Sequence, residues 1–162
     1  MFKYINKLSF ITDIIIKMSL GIVFFNYGYV KLLKLLNNDG QAITSMIEEM
    51  PFFNFAPIFF SWSLAISETF IIFALIYGII NFLPFSNLVS RFTGILSLFL
   101  SSIILYQHIF IWGDNIFSYG PIEFLNIEES GRPVLGQFLL IPLSLYILFH
   151  NRQNFYLIND NK

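Results

Sequence analysis

The 162-residue chain contains no cysteine. It therefore cannot run a thiol–disulfide relay of its own, and it offers no thiolate ligands for a metal ion or an iron–sulfur cluster. Redox chemistry, if the chain takes part in it, requires a cofactor supplied from elsewhere. From the sequence we predict no metal site and no intrinsic cofactor.

Charged residues are also scarce. They make up 12% of the chain, against roughly 25% in an ordinary soluble domain. The formal net charge is -1, so the chain lacks the basic field that nucleic-acid-binding proteins use. It has no Gly-rich phosphate loop either. These absences argue against nucleic acid as a partner.

Hydrophobic residues, by contrast, make up 56% of the chain and aromatic residues 19%. Four apolar segments each approach the roughly 20 residues that a helix needs to cross about 30 Å of hydrocarbon. They cover residues 10–36, 56–83, 92–112 and 134–150. We therefore predict a single all-α domain over residues 1–162, an integral membrane four-helix bundle in a lipid bilayer.

Basic residues set the predicted orientation, because lysine and arginine favour the cytoplasmic side. With four spans, five of them fall on one side, namely Lys3, Lys7, Arg91, Arg152 and Lys162. Both termini are therefore predicted to be cytoplasmic. The opposite side receives two acidic connections, residues 37–55 and 113–133. The first contains the helix stop "NNDG" and then a short surface helix at about 41–50.

Glu68 lies deep within the second apolar segment. A carboxylate cannot snorkel to the surface from there, and an ionisable group at such a depth normally faces the bundle interior and marks a functional site. The alternative is a structural glutamic acid, neutral through desolvation and hydrogen-bonded to Asn26, Tyr27 or a serine on a neighbouring helix. The functional interpretation is favoured.

Two lysines in the first segment raise a related question. Lys17 and Lys31 enclose 13 uncharged residues, which as a helix rise about 20 Å, less than the hydrocarbon thickness. At least one of them must therefore snorkel or find a partner. Snorkelling explains Lys34 well, and for Lys31 the two explanations are equal. Asp13 and Lys17, spaced i,i+4, are predicted to pair near the inner surface as an anchor.

Small residues and a histidine share one face of the third segment, namely Gly94, Ser97, Ser101 and His108. Small residues let helix backbones approach, so His108 is predicted to face protein. A lone histidine is more often a packing residue than a ligand. Gln107 and His108 are adjacent and cannot both point along one line, which makes Gln107 the weaker candidate.

With this orientation, a polar pocket is predicted to open outward. Lys31, Gln107, His108 and Gln137 fall in the outer half, with Glu68 and Asn26 beneath them near the midplane. The candidate catalytic residues are Glu68 and His108. The candidate ligand-binding residues are Lys31, Asn26 and Gln137.

At these residues the chain resembles the DoxX-like family of small four-helix bacterial membrane proteins. The first helix of that family carries a basic residue, a glycine four positions later, and a second glycine followed after two residues by lysine. The matching residues here are Lys17, Gly21, Gly28 and Lys31. Lysine stands at position 17, where arginine is usual.

The next two helices continue the resemblance. The family's second helix has a glutamate followed by an apolar, glycine-containing stretch, which matches Glu68 through Gly78. Its third helix often opens with arginine and ends near histidine, which matches Arg91 and His108. The sequence departs from the pattern at Ile72, where glycine is expected.

The resemblance implies a multi-pass protein of the bacterial inner (cytoplasmic) membrane. The family includes a subunit of thiosulfate:quinone oxidoreductase and members of oxidant-defence complexes. The first functional hypothesis is therefore a subunit of a quinone-linked redox complex. In it Glu68 or His108 exchanges protons with a bound quinone, and Lys31 stabilises the reduced oxyanion.

Two other functions remain open. The second hypothesis is a non-catalytic scaffold or assembly factor, whose acidic outer surface docks a membrane or exported protein, or a second copy of the chain. The third, ranked last, is a small-solute carrier, which requires Glu68 to face a water-filled path.

Overall fold

The structure, a computed structural model, describes residues 2–80, 82–112 and 134–150. All secondary structure in these ranges is helical, so the all-α prediction is confirmed. The helices are α1 (Phe2–Leu36), α2 (Gln41–Glu48), α3 (Pro57–Ile79), α4 (Ser86–Tyr106) and α5 (Val134–Phe149). A π-helical turn, Gln107–Ile111, continues α4.

Three stretches are long and apolar enough to cross a membrane, namely Leu8–Leu36, Pro57–Ile79 and Ser86–Ile111. Their outward faces carry large apolar side chains, and Phe70, Phe73 and Phe92 are each more than half exposed. An apolar surface of this extent is typical of contact with lipid. The chain is therefore a multi-pass membrane protein by length and composition.

Turn residues explain where the helices end. Asn38 adopts a left-handed conformation with φ of 59°, and the Asp39 N–H donates to the Lys34 carbonyl at 2.8 Å. This turn ends α1 at the predicted "NNDG" stop. Ile80 is extended and ends α3. Phe85, with φ of 59°, precedes α4.

The helix boundaries differ from prediction chiefly at three ends. α3 ends at Ile79 rather than at residue 83. α1 begins at Phe2 rather than near residue 10, because no Gly or Pro interrupts the chain there. α4 begins at Ser86 rather than at 92, so Arg91 lies inside the helix instead of at its start. The break before α4 is set by the turn around Pro84, which the hydropathy pattern did not reveal.

The helices pack in a closed order. α1 contacts α3, α3 contacts α4, α4 contacts α5, and α5 returns to α1, while α2 packs on α3. Fully buried side chains such as Leu20, Phe24, Ile71 and Leu75 fill the space between α1 and α3. In lipid this association depends on close packing rather than on the exclusion of water.

Candidate functional site

An ion pair joins α1 to α3 inside the membrane-spanning region. The Lys31 Nζ lies 2.6 Å from the Glu68 Oε1 and donates to Oε2 at 2.7 Å. The Glu68 side chain is 0% exposed and that of Lys31 20%. A buried carboxylate left without a partner is strongly destabilising. Lys31 therefore acts as a counter-ion, and snorkelling alone does not account for it.

Gly28 allows the Lys31–Glu68 ion pair to form, because it lies about one helical turn before Lys31 and faces α3. A Cβ added to Gly28 would lie 2.7 Å from the Glu68 Cβ and 2.7 Å from the Thr69 Oγ1. Those separations are too short for any real side chain. Glycine thus brings the α1 backbone close to Glu68, within reach of the Lys31 ammonium group.

A second charged cluster lies toward the other end of α1. The Lys17 Nζ lies 3.2 Å from the Asp13 Oδ2 and donates to the Gly78 carbonyl at 3.4 Å. The predicted i,i+4 pairing is therefore present. Its interpretation as a surface anchor was wrong, because the side chains of Lys17 and Asp13 are 3% and 0% exposed.

His150 directly follows α5 and is close enough to the Lys17–Asp13 cluster for the charge of Lys17 to act on it. Burial lowers the pKa of His150 below its ordinary value of 6.5, and the charge of Lys17 lowers it further. Its ring stacks on Tyr146 with centroids 4.8 Å apart. The end of α5 is thus placed beside the buried charges of α1, an arrangement that the sequence analysis did not predict.

The π-helical turn brings two adjacent polar residues inside. The Trp112 N–H donates to the Gln107 carbonyl at 3.0 Å, five residues back along the chain. Such a turn contains an extra residue and is frequent at functional sites. Gln107 and His108 are 2% and 5% exposed, so His108 faces protein as predicted. Gln107 was ranked as the weaker candidate for a regular α-helix, and the π-helical turn was not predicted.

The predicted pocket residues are only partly brought together. Lys31 and Glu68 form one contact, whereas the His108 ring packs edge-on against Trp112, with centroids 4.9 Å apart. Asn26 is exposed and lies two positions from Gly28, on the opposite side of α1 from α3. The side chain of Gln137 lies outside the described residues, as does the whole 113–133 connection.

Two neighbouring apolar cavities are present among the described residues, one between α2, α3 and α4 and the other between α4 and the connection that follows α2. One has a volume of about 290 Å³ and is lined by residues that include Ile47, Ser63, Leu64, Ser67, Leu96 and Leu100. The other, of about 330 Å³, is lined by Met50, Phe52, Ser102 and Tyr106, among others. Neither Lys31 nor Glu68 lines these cavities.

The sequence analysis missed two features of this arrangement. It treated Lys17 and Asp13 as surface groups, although their position next to an apolar stretch was a signal of burial. It gave no role to Ser90, whose buried hydroxyl lies against Gly78. A serine among apolar residues on a helix gives no signal from spacing alone.

Comparison of the chain with family models, with curated proteins and with solved structures found no match in any of the three.

Proposed function

We propose that the chain is a DoxX-like protein of the bacterial inner membrane that spans the bilayer four times, with both termini in the cytoplasm. α5 would form the fourth span. It packs between α4 and α1, and its 16 residues are strongly apolar. Such a helix is about 24 Å long, and local bilayer thinning accommodates the mismatch with about 30 Å of hydrocarbon.

We further propose that the protein is a subunit of a quinone-linked redox complex in which the Lys31–Glu68 pair exchanges protons. The observation that carries this proposal is the two-pronged contact of Lys31 with a Glu68 side chain that is 0% exposed. Burying such a pair costs desolvation energy that well-packed apolar residues would avoid. Ionisable groups inside membrane spans are therefore functional by default.

The pair is suited to holding and releasing one proton. Ionised Glu68 accepts hydrogen bonds from Lys31 on both oxygens. When Glu68 takes up a proton, its remaining lone pairs still accept from Lys31. The contact between α1 and α3 can thus survive both protonation states, and the proton remains close to the partly exposed ammonium group.

The residues also fit a quinone as the proton-exchange partner. Lys31 has three N–H donors, and two are directed to Glu68. The third is left for an oxygen acceptor at the 20% exposed part of the side chain. A quinone supplies two-electron reduction chemistry, with electrons delivered through a partner protein. That reduction also takes up two protons, so Lys31 would orient and stabilise the quinone oxygen while Glu68 passed the two protons one at a time.

The outer surface favours a scaffold or assembly factor as a second candidate function. α2 buries Ile43 and Ile47 while Glu48 and Glu49 remain exposed. The Trp112 Nε1 donates to the Glu49 Oε2 at 3.3 Å and ties α2 to the end of the π-helical turn. An acidic helix held in this way suits docking of a basic surface on an exported or membrane protein.

The deciding experiment measures the quinone retained after gentle detergent purification, by quantitative mass spectrometry. We expect about one quinone per wild-type chain and a loss of most of it in Glu68→Gln and Lys31→Met, because both variants break the pair. Glu48→Gln serves as the control, since it removes a carboxylate from the exposed face of α2.

Equal retention in wild type, Glu68→Gln and Lys31→Met would refute the proton-exchange role of the pair. Background quinone throughout, together with a protein partner that is lost in a Glu48→Lys, Glu49→Lys double variant, would instead favour the scaffold.

A further inference from the structure

The exposed face of α1 follows a seven-residue repeat along the apolar stretch Leu8–Leu36. Two sets of residues, each spaced by seven, alternate there at intervals of three and four positions. One set is Leu8, Ile15, Ile22, Tyr29 and Leu36. The other set is Thr12, Ser19, Asn26 and Leu33. Every one of these side chains is exposed. We call this stripe the α1 seam, because a repeat of this kind is the one by which two helices pack as a coiled coil.

The α1 seam lies on the side of the helix that faces away from α3. Gly28 packs directly against Glu68 and Thr69 of α3, and Asn26, two positions earlier, lies on the opposite side of α1. No residue of the seam carries a charge. Two copies of the seam can therefore approach each other without repulsion between like charges.

Asn26 is the residue of the seam that lipid cannot satisfy. Residue 22 is the middle of Leu8–Leu36, and Asn26 lies four positions beyond it, about 6 Å along the helix axis. This depth is within the hydrocarbon layer, which is about 30 Å thick. The Asn26 amide has no hydrogen-bond partner among the described residues. An unsatisfied amide in hydrocarbon is costly, so the amide needs a partner on another molecule in the bilayer.

From the seam and this amide we infer that α1 binds a second copy of the chain, in a parallel two-fold dimer centred on Asn26. The partial charges of an amide are complementary to those of its own copy, because the carbonyl oxygen accepts and the NH₂ group donates. All copies enter the membrane in the same orientation, so each seam residue meets its own counterpart. An asparagine at such a position fixes the register and the oligomeric state of a coiled coil.

The dimer does not depend on the proposed redox function. The Lys31–Glu68 pair joins α1 to α3, whereas the α1 seam lies on the opposite side of α1. One helix can therefore serve both contacts at the same time. Ser19, one repeat before Asn26, has a small side chain that lets the two α1 backbones approach closely.

The affinity of the dimer can be measured by fluorescence resonance energy transfer between full-length chains. The chain has no cysteine, so Glu48→Cys on the exposed face of α2 carries the dyes. The chains are diluted in vesicles of phosphatidylethanolamine and phosphatidylglycerol. We expect Asn26→Leu to weaken dimerisation roughly three- to thirtyfold, as expected for hydrogen bonds between membrane helices. Asn26→Gln keeps the amide and should retain most of the affinity. Because Asn26 faces away from the bundle, both variants should fold, which circular dichroism checks.

Oxidative cross-linking in native membranes locates the interface. Ile22→Cys lies in the α1 seam, and Ile95→Cys on α4 is its matched control, since the two side chains are 55% and 49% exposed. We expect disulfide-linked dimers for Ile22→Cys and only background for Ile95→Cys.

Three results would overturn the inference: monomers at every dilution, equal affinity of wild type and Asn26→Leu, or stronger cross-linking of Ile95→Cys than of Ile22→Cys. A different protein cross-linked to Ile22→Cys in place of a second copy would also overturn it, since the seam would then belong to another partner.

Discussion

Three residues determine how closely α1 and α3 approach at the ion pair. Gly28 removes the side chain that would separate the helices, Glu68 supplies the charge, and Lys31 neutralises it. The order along α1 is essential, since glycine must precede lysine by about one turn for the ammonium group to reach across. The sequence pattern of glycine, two residues and lysine therefore has a direct geometric meaning in this chain.

Replacing Gly28 by alanine should destabilise the protein by roughly 1–3 kcal/mol, because the new methyl group would overpack against Thr69 and Glu68. The control is Gly21→Ala, where the nearest atom of Ile72 lies at 3.1 Å. There the gain in helix propensity, about 0.5–1 kcal/mol, should largely offset the tighter contact. Free energies of unfolding in mixed micelles measure the difference. Equal effects of the two substitutions would contradict the close approach at Gly28.

At the scale of helices, the ends of α2, α4 and α5 make polar contacts of their own, in addition to the ion pair at the middle of α3. The π-helical turn at the end of α4 buries Gln107 and His108, and α2 is fixed above it by buried Ile43 and Ile47. At the opposite end, α5 finishes beside the buried Lys17 of α1. At each of these ends, polar groups lie where several helices meet. The periodicity of a single helix does not predict contacts of this kind.

His150, at the end of α5, should make the free energy of unfolding depend on pH. Because the pKa of His150 is below 6.5 in the folded protein, the unfolded state binds more protons near that pH, and the free energy of unfolding should fall as the pH drops through 6.5. The charge of Lys17 acts on His150, and the Tyr146 ring stacks on it. A pH series of unfolding free energies should show a shallower slope for His150→Gln. An unchanged slope between pH 7 and 5 would show that His150 does not titrate in this way.

At the scale of the whole molecule, the closed order of helix contacts gives the chain one protein-facing interior and a lipid-facing exterior. The buried charges lie in that interior, and the exterior carries exposed phenylalanines. The apolar cavity of about 290 Å³ is an additional feature of this interior, because residues of both α3 and α4 line it.

The proposed four spans predict which sites a membrane-impermeant maleimide can reach. The chain has no cysteine, so single cysteines introduced at Glu48, Asn87 and Lys162 report without background. We expect labelling of Glu48→Cys in intact spheroplasts, and of Asn87→Cys and Lys162→Cys only after lysis, by the orientation rule. Labelling of Lys162→Cys in intact spheroplasts would mean that α5 does not cross the membrane.

The sequence by itself determined the helical fold class, the approximate positions of the helices in the described part of the chain, and the choice of Glu68 as a candidate site residue. These follow from local physics, because apolar runs, a turn such as "NNDG" and a carboxylate far from any boundary are visible in one dimension. The i,i+4 pairing of Asp13 and Lys17 was predictable for the same reason.

Only the tertiary structure decided which groups meet. It paired Lys31 with Glu68, buried Lys17 and Asp13 near the end of α5, left Asn26 exposed, and formed an apolar cavity between α3 and α4. Contacts of this kind depend on how far one helix is rotated and how closely it approaches its neighbour. Hydropathy leaves both quantities undefined, whereas the packing at Gly28 and the π-helical turn fix them.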